Sequence, residues 1–97
     1  MKKENDRFVM LTTSDRGVFA GVLEDHDLEA KRATLTECRM CVYWPASNRG
    51  VMGLASDGPK SGAKITPAVP KAEIENVTMV CDCTPRAAEM WKAEPWG

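Results

Sequence analysis

Apolar and polar positions along the chain fall into short blocks rather than one long amphipathic stripe. RFVMLTT (7–13) and VFAGVL (18–23) are apolar, β-branched or aromatic runs separated by SDRG, whose residue types are those of a tight turn. Residues 7–23 are therefore expected to form a β-hairpin, with Gly17 as the residue able to take a positive φ. The polar segment EDHDLEAKR (24–32) reads as a loop or hairpin end. ATLTE and CRMCVYW (33–44) follow as one longer strand, or as two joined at a bulge, and PASNRG breaks the run.

In VMGLASDG (51–58), Val51, Leu54 and Ala55 share one side of a helical turn, with Gly58 as its stop. PKSGAKITPAVPKAE (59–73) holds three prolines and one glycine, and predicts an irregular crossing with an edge-strand fragment at AKIT. The period of two returns in IENVTMVCDCT (74–84). It places Val77, Met79, Cys81 and Cys83 on one face and Thr78, Asp82 and Thr84 on the other. A helix over 84–94 closes the pattern: Thr84 is its N-cap, Pro85 takes the first helical position, and Ala87, Met90 and Trp91 share a face. Pro95 ends it, and Trp96 is expected to fold back onto the body.

These elements predict an α+β fold. It is a small, mostly antiparallel sheet of about four to six strands, curled toward a partly open barrel, with one short internal helical turn and a C-terminal helix. Residues 1–97 are expected to be a single domain, with 1–6 a disordered N-terminus. Composition agrees: 43% hydrophobic and 28% charged residues are the balance of a folded globular chain rather than of a disordered one.

Charge narrows the partners. Thirteen Lys and Arg against fourteen Asp and Glu leave a net charge of -1, so no overall field draws the chain to nucleic acid. Behind the two lysines of MKKENDRF there is no apolar stretch, and VFAGVL is far too short to cross a bilayer. The expected location is the cytoplasm, with no membrane partner. Four cysteines in such a setting read as reduced thiols or metal ligands.

Zinc chemistry needs both sulfurs of a CxxC pair aimed at one ion, which a tight turn achieves and a strand does not. An extended 38–44 puts Cys38, Met40, Val42 and Trp44 on one face and Glu37, Arg39, Cys41 and Tyr43 on the other. The cysteines are then small core residues, unless a bulge realigns the pair, and no metal or cofactor is expected. His26, in LEDHDLE, has no pattern joining it to a cysteine, so no catalytic residue is assigned and the chain reads as a non-enzyme. Asp25, Asp27 and Glu29 alternate as calcium ligands can, but lack the glycine and distal glutamate of such a loop. GLASDGPKS approximates a phosphate loop, yet Pro59 separates Gly58 from Lys60. What remains is a flexible, amide-rich loop carrying one lysine.

The candidate contact surface is the outward face of Arg39 and Tyr43, with Trp44 at its end, Arg49 in the adjoining turn and Lys60 in the loop. A guanidinium beside aromatic rings can stack on a base, pair with a phosphate, or anchor a protein partner. Arg39 bridging Glu37, with Trp44 in the core, is the competing structural role.

The succession VMLTTSDRGVFAGVL, ATLTECRMCVYW, GLASDG and IENVTMVCDCTPRAAEMW, with a terminal PW, resembles a widespread family of small phage and prophage proteins of unassigned function. The likeness runs from Arg7 to Trp96. Members more often carry Leu, Ile or Arg at these cysteine positions, so the resemblance implies no shared metal site, and it brings no catalytic residue. It implies a phage accessory protein that works by binding, with counter-defence as the expected use. The expected target is a host nucleotide signal, met by Arg39, Arg49 and Lys60 with Tyr43 and Trp44 supplying flat contact. A host defence protein such as a CRISPR effector is the alternative, as is a small homo-oligomeric structural or regulatory role in which an exposed strand pairs with its own copy.

Overall fold

The computed structural model describes residues 7–93. Expectations for the first six residues, Pro95 and Trp96 therefore lie outside the described residues. Six strands run β1 Phe8–Thr13, β2 Val18–Asp27, β3 Arg32–Tyr43, β4 Lys64–Ile65, β5 Val69–Glu75 and β6 Val77–Asp82. A 3₁₀ turn, Ala46–Asn48, and two helices, α1 Val51–Ser56 and α2 Pro85–Ala93, complete the set. Every strand pairing is antiparallel, in the order β4–β3–β2–β1–β6, with β5 paired to β3. The mostly antiparallel α+β architecture is as the residue pattern requires.

The sheet must curl. β5 lies on the β3 side and β6 on the β1 side, yet only Asn76, at φ 61°, separates them in the chain. The Val77 amide donates to the Lys31 carbonyl and the Ser14 amide to the Asn76 carbonyl, so both hairpin ends meet at this corner. Two bulges bend β2 and β3 to allow it. The pairing slips between Ala20 and Val22 and again between Leu23 and Asp25, and Glu37 takes φ 50°. At the bend Gly21 is required, because a Cβ there would lie 2.7 Å from the Thr36 carbonyl oxygen.

Curling gives the sheet two apolar faces. Val9, Leu11, Leu23, Ala33, Leu35, Cys38, Ile74 and Val77 fill the inside of the curl. Phe8, Met10, Val18, Ala20, Cys41 and Ile65 face the other way and are covered by Leu54 and Ala55 of α1 and Trp91 of α2. Buried on both faces, β1 has to read as an unbroken apolar run. Trp91 is fully buried, and its indole N–H donates to the Leu54 carbonyl at 2.9 Å, which fixes α2 against α1. Thr84 caps α2 by accepting the Ala87 amide at 3.1 Å, as the Thr-Pro start of that helix predicts.

Three local expectations are corrected. At the first hairpin Arg16, not Gly17, takes the positive φ of 71°. Gly17 is needed instead for space, since a Cβ would fall 2.6 Å from the Phe19 ring and 2.7 Å from the Thr13 hydroxyl. The crossing at 59–73 is not irregular throughout, because β5 begins at Val69 and pairs with β3 from Cys38 to Arg32. Pro70 can sit there because β5 pairs with no strand but β3 among the described residues. In β6, Val77 does not share a face with Met79, Cys81 and Cys83. The pairing to β1 shifts between Thr12 and Thr13, which turns Val77 inside the curl while the other three pack under the helices.

Candidate functional site

Cys38 and Cys41 are buried core groups, and Cys81 and Cys83 are half-buried against the cluster beneath the helices. Cys38 lies inside the curl and Cys41 under the helices, so the CxxC pair is split across the sheet as a strand demands. Burial pushes the Cys38 and Cys41 thiols up to about 11, the latter despite an opposing backbone hydrogen bond at Tyr43. Burial, with the nearby Cys81 and Asp82, pushes Cys83 up to about 12, and Cys81 is raised by burial and by Asp82. Thiols held protonated are poor nucleophiles and poor metal ligands. Among the described residues, no group of three or more His, Cys, Asp or Glu side chains is placed to hold a metal. His26 is exposed in the second hairpin arm, opposite Ala33.

The five residues of the expected contact surface do not form one face. Arg39 is half-buried and turned onto the protein. Its Nε donates to the Thr66 carbonyl at 2.7 Å, and its Nη1 donates to the Trp91 and Lys92 carbonyls at 2.7 and 3.2 Å. The outward guanidinium expected from the strand pattern is thus drawn to the C-terminal end of α2, where the helix dipole favours a cation. Trp44 is half-buried and packs on the cluster beneath the helices.

Tyr43 keeps the exposed position. It is 53% exposed and its neighbour Val42 is 54% exposed, at the last two residues of β3. Tyr43 faces Lys64 across the β3–β4 pairing, and Val69, 46% exposed, lies further along the same edge opposite Cys38. A strand end that exposes two bulky side chains offers apolar area of the kind that interface anchors supply. The alternation rule placed Val42 on the Cys38 face and so masked its exposure, which arises because β3 outruns β2 at that end. The pairing with β2 runs out at Met40, opposite Phe19.

Arg49 and Lys60 do come together, around Asp57. Arg49 is exposed at φ 60° and its Nη2 lies 3.4 Å from the Asp57 carboxylate. Burial alone would raise Asp57, but the hydrogen bond from Arg49 and the charge of Lys60 outweigh it and leave the carboxyl below its ordinary range. The amide-rich loop between them has several of its backbone groups bonded within the protein. Asn48, fully buried, donates Nδ2–H to the Gly58 carbonyl at 2.8 Å and accepts the Lys60 amide at 3.1 Å. The Asp57 and Gly58 amides donate to the Gly53 carbonyl. With those amides committed, the side chains of Arg49 and Lys60 are left as the anion-attracting groups. Beside them lies a groove of about 370 Å³ lined by Arg49, Met52, Gly53, Ala55, Ser56 and Cys81. Asn48 gave no signal beyond its place in a turn-forming PASNRG.

No helix of the described residues is long and apolar enough to cross a membrane. No significant similarity to a curated protein or to a solved structure was found. The family model for DUF6948, a domain of unknown function, matches residues 6–91. That match takes in every strand and helix α1, together with α2 as far as the tryptophan that anchors it, and the chain belongs to the DUF6948 family.

Proposed function

We propose that this chain is a non-enzymatic phage accessory protein that acts in counter-defence by covering a host defence protein. Its contact surface is the exposed end of β3. The observation that carries this reading is the solvent exposure of Val42 and Tyr43, consecutive at the end of β3, while Arg39 of the same strand is withdrawn to α2. A tyrosine on a rigid strand gives a large contact at small entropic cost, and Lys64 opposite it sets a cation at the rim. Occupancy alone is the mechanism, and protonated, buried thiols fit a protein that makes and breaks no bond. Phage origin rests on the resemblance of the motif order, and the host cytoplasm is where such a protein would meet its target.

A second reading is sequestration of a host nucleotide signal. It is favoured by Arg49 and Lys60 meeting around a single carboxylate beside an open groove, which leaves one positive charge in excess for a phosphate. Reconstitution with a purified host partner separates the two. Val42→Asp and Tyr43→Ala should abolish the complex while Arg49→Gln and Lys60→Gln leave it intact; the reverse pattern, with a bound nucleotide, favours sequestration.

A further inference from the structure

The two edges of the sheet are built differently. On the β3 side, β5 carries Pro70 and Lys71 and β4 is only two residues long with Lys64 in it, the devices that keep a sheet edge from pairing. β6, VTMVCD, has no proline and no lysine; among the described residues its only strand partner is β1, and the β2–β3 turn meets its other side at Val77, whose amide donates to the Lys31 carbonyl. The Cys83 amide donates to the Phe8 carbonyl, so by alternation the backbone groups of Val80 and Asp82 point away from β1. The bulge at Thr12–Thr13 disturbs only the Val77 end.

Exposed apolar side chains bracket this edge. Leu28, 80% exposed at the tip of the β2–β3 hairpin, lines a small groove of about 120 Å³ with Val77, Thr78, Met79 and Val80. Met52, 58% exposed on α1, lies in the groove that reaches Cys81 at the other end. The charges differ in sign between the two ends. The hairpin EDHDLEAKR sets four carboxylates against two cations of its own, and Lys71 of β5 pairs with one of the four, Glu24, at 3.4 Å, leaving a net acidic end, whereas Arg49 and Lys60 outnumber Asp57 beside Met52.

We infer that the outer edge of β6 is a homodimer interface, two copies pairing antiparallel about a two-fold axis near Cys81. An edge strand paired antiparallel with its own copy is two-fold symmetric, and such an interface closes without leaving an open end. Centring it on Cys81 sets Val80 opposite Asp82 of the second copy, so the two Asp82 carboxylates do not face each other. The same rotation lays each acidic hairpin, with Leu28, on the α1 end of the other copy, where Met52 and Arg49 wait. Apolar side chains then meet apolar ones and opposite charges meet, at both ends at once. A nucleotide held by Arg49 and Lys60 would compete with this pairing.

Sedimentation of the full chain over a range of concentrations tests it. The wild type should dimerise, Leu28→Glu and Met52→Glu should each weaken the dimer by about tenfold or more, and Glu73→Gln on β5 should not change it. A wild type that stays monomeric at about 100 μM overturns the inference. So does a dimer that neither Leu28→Glu nor Met52→Glu weakens.

Discussion

The Arg39 guanidinium donates to the Trp91 carbonyl at 2.7 Å, across 52 positions of chain. Through the same side chain, at 2.7 Å, the Thr66 carbonyl is held as well, so one residue of β3 ties the β4–β5 connection and the end of α2 to the sheet. Thr66 reciprocates by accepting the Met40 amide on its hydroxyl at 2.9 Å.

Replacing Arg39 therefore tests structure rather than recognition. Arg39→Leu leaves partly buried carbonyls of Thr66 and Trp91 without their donors and should cost about 2 to 3 kcal/mol in urea unfolding. Arg39→Lys should recover less than half of that, because a single ammonium cannot reach both carbonyls as the planar fork does. An Arg39→Leu variant as stable as the wild type would return the side chain to the list of ligand groups.

The contact between α1 and the preceding turn has no tolerance. A Cβ on Gly53 would lie 1.7 Å from the Asn48 carbonyl oxygen, which is backbone and cannot yield locally. Gly53→Ala should cost about 3 kcal/mol or more, although alanine is the better helix former. Asn48→Ala, which leaves the Gly58 carbonyl and the Lys60 amide unpaired, should cost about 2 kcal/mol. Urea midpoints of the two variants check both values.

Alkaline pH should destabilise the fold through its thiols. Cys38, Cys41 and Cys83 hold their protons up to about 11, 11 and 12, whereas an unfolded chain releases them near 9.0. Their contribution is complete below pH 9 and is lost as the pH climbs through the folded-state values. The slope is at most about 1.4 kcal/mol per pH unit for each thiol. Stability measured at pH 8, 9 and 10 should fall less steeply in Cys38→Ala than in the wild type. Identical slopes would contradict buried, protonated thiols.

How much was readable in the chain follows from which signals are local. Thr84 and Pro85 announce a helix start, and the unbroken FVML run announces a strand buried on both sides, because each needs only its own residues. β5 carries little local signal, because prolines at 67 and 70 and six exposed or half-exposed residues of its seven hide the alternation, and only pairing with β3 gives it form. The strand period puts Arg39 on the side of Cys41, as the structure has it, but nothing local says that α2 ends above that side. Arg49 and Lys60 each stand out in the chain as cations, and the structure joins them through Asp57 and the buried Asn48, contacts between residues distant along the loop. Exposure of Val42 depends on where β2 begins, which the β3 sequence does not contain.

The most direct test of the proposed contact surface is native mass spectrometry of the purified chain mixed with its purified host partner. A complex that forms with the wild type and is lost with Val42→Asp and with Tyr43→Ala, both variants remaining folded, is the predicted result. A complex that survives both substitutions, or a retained nucleotide released by Arg49→Gln in place of any protein complex, would contradict it.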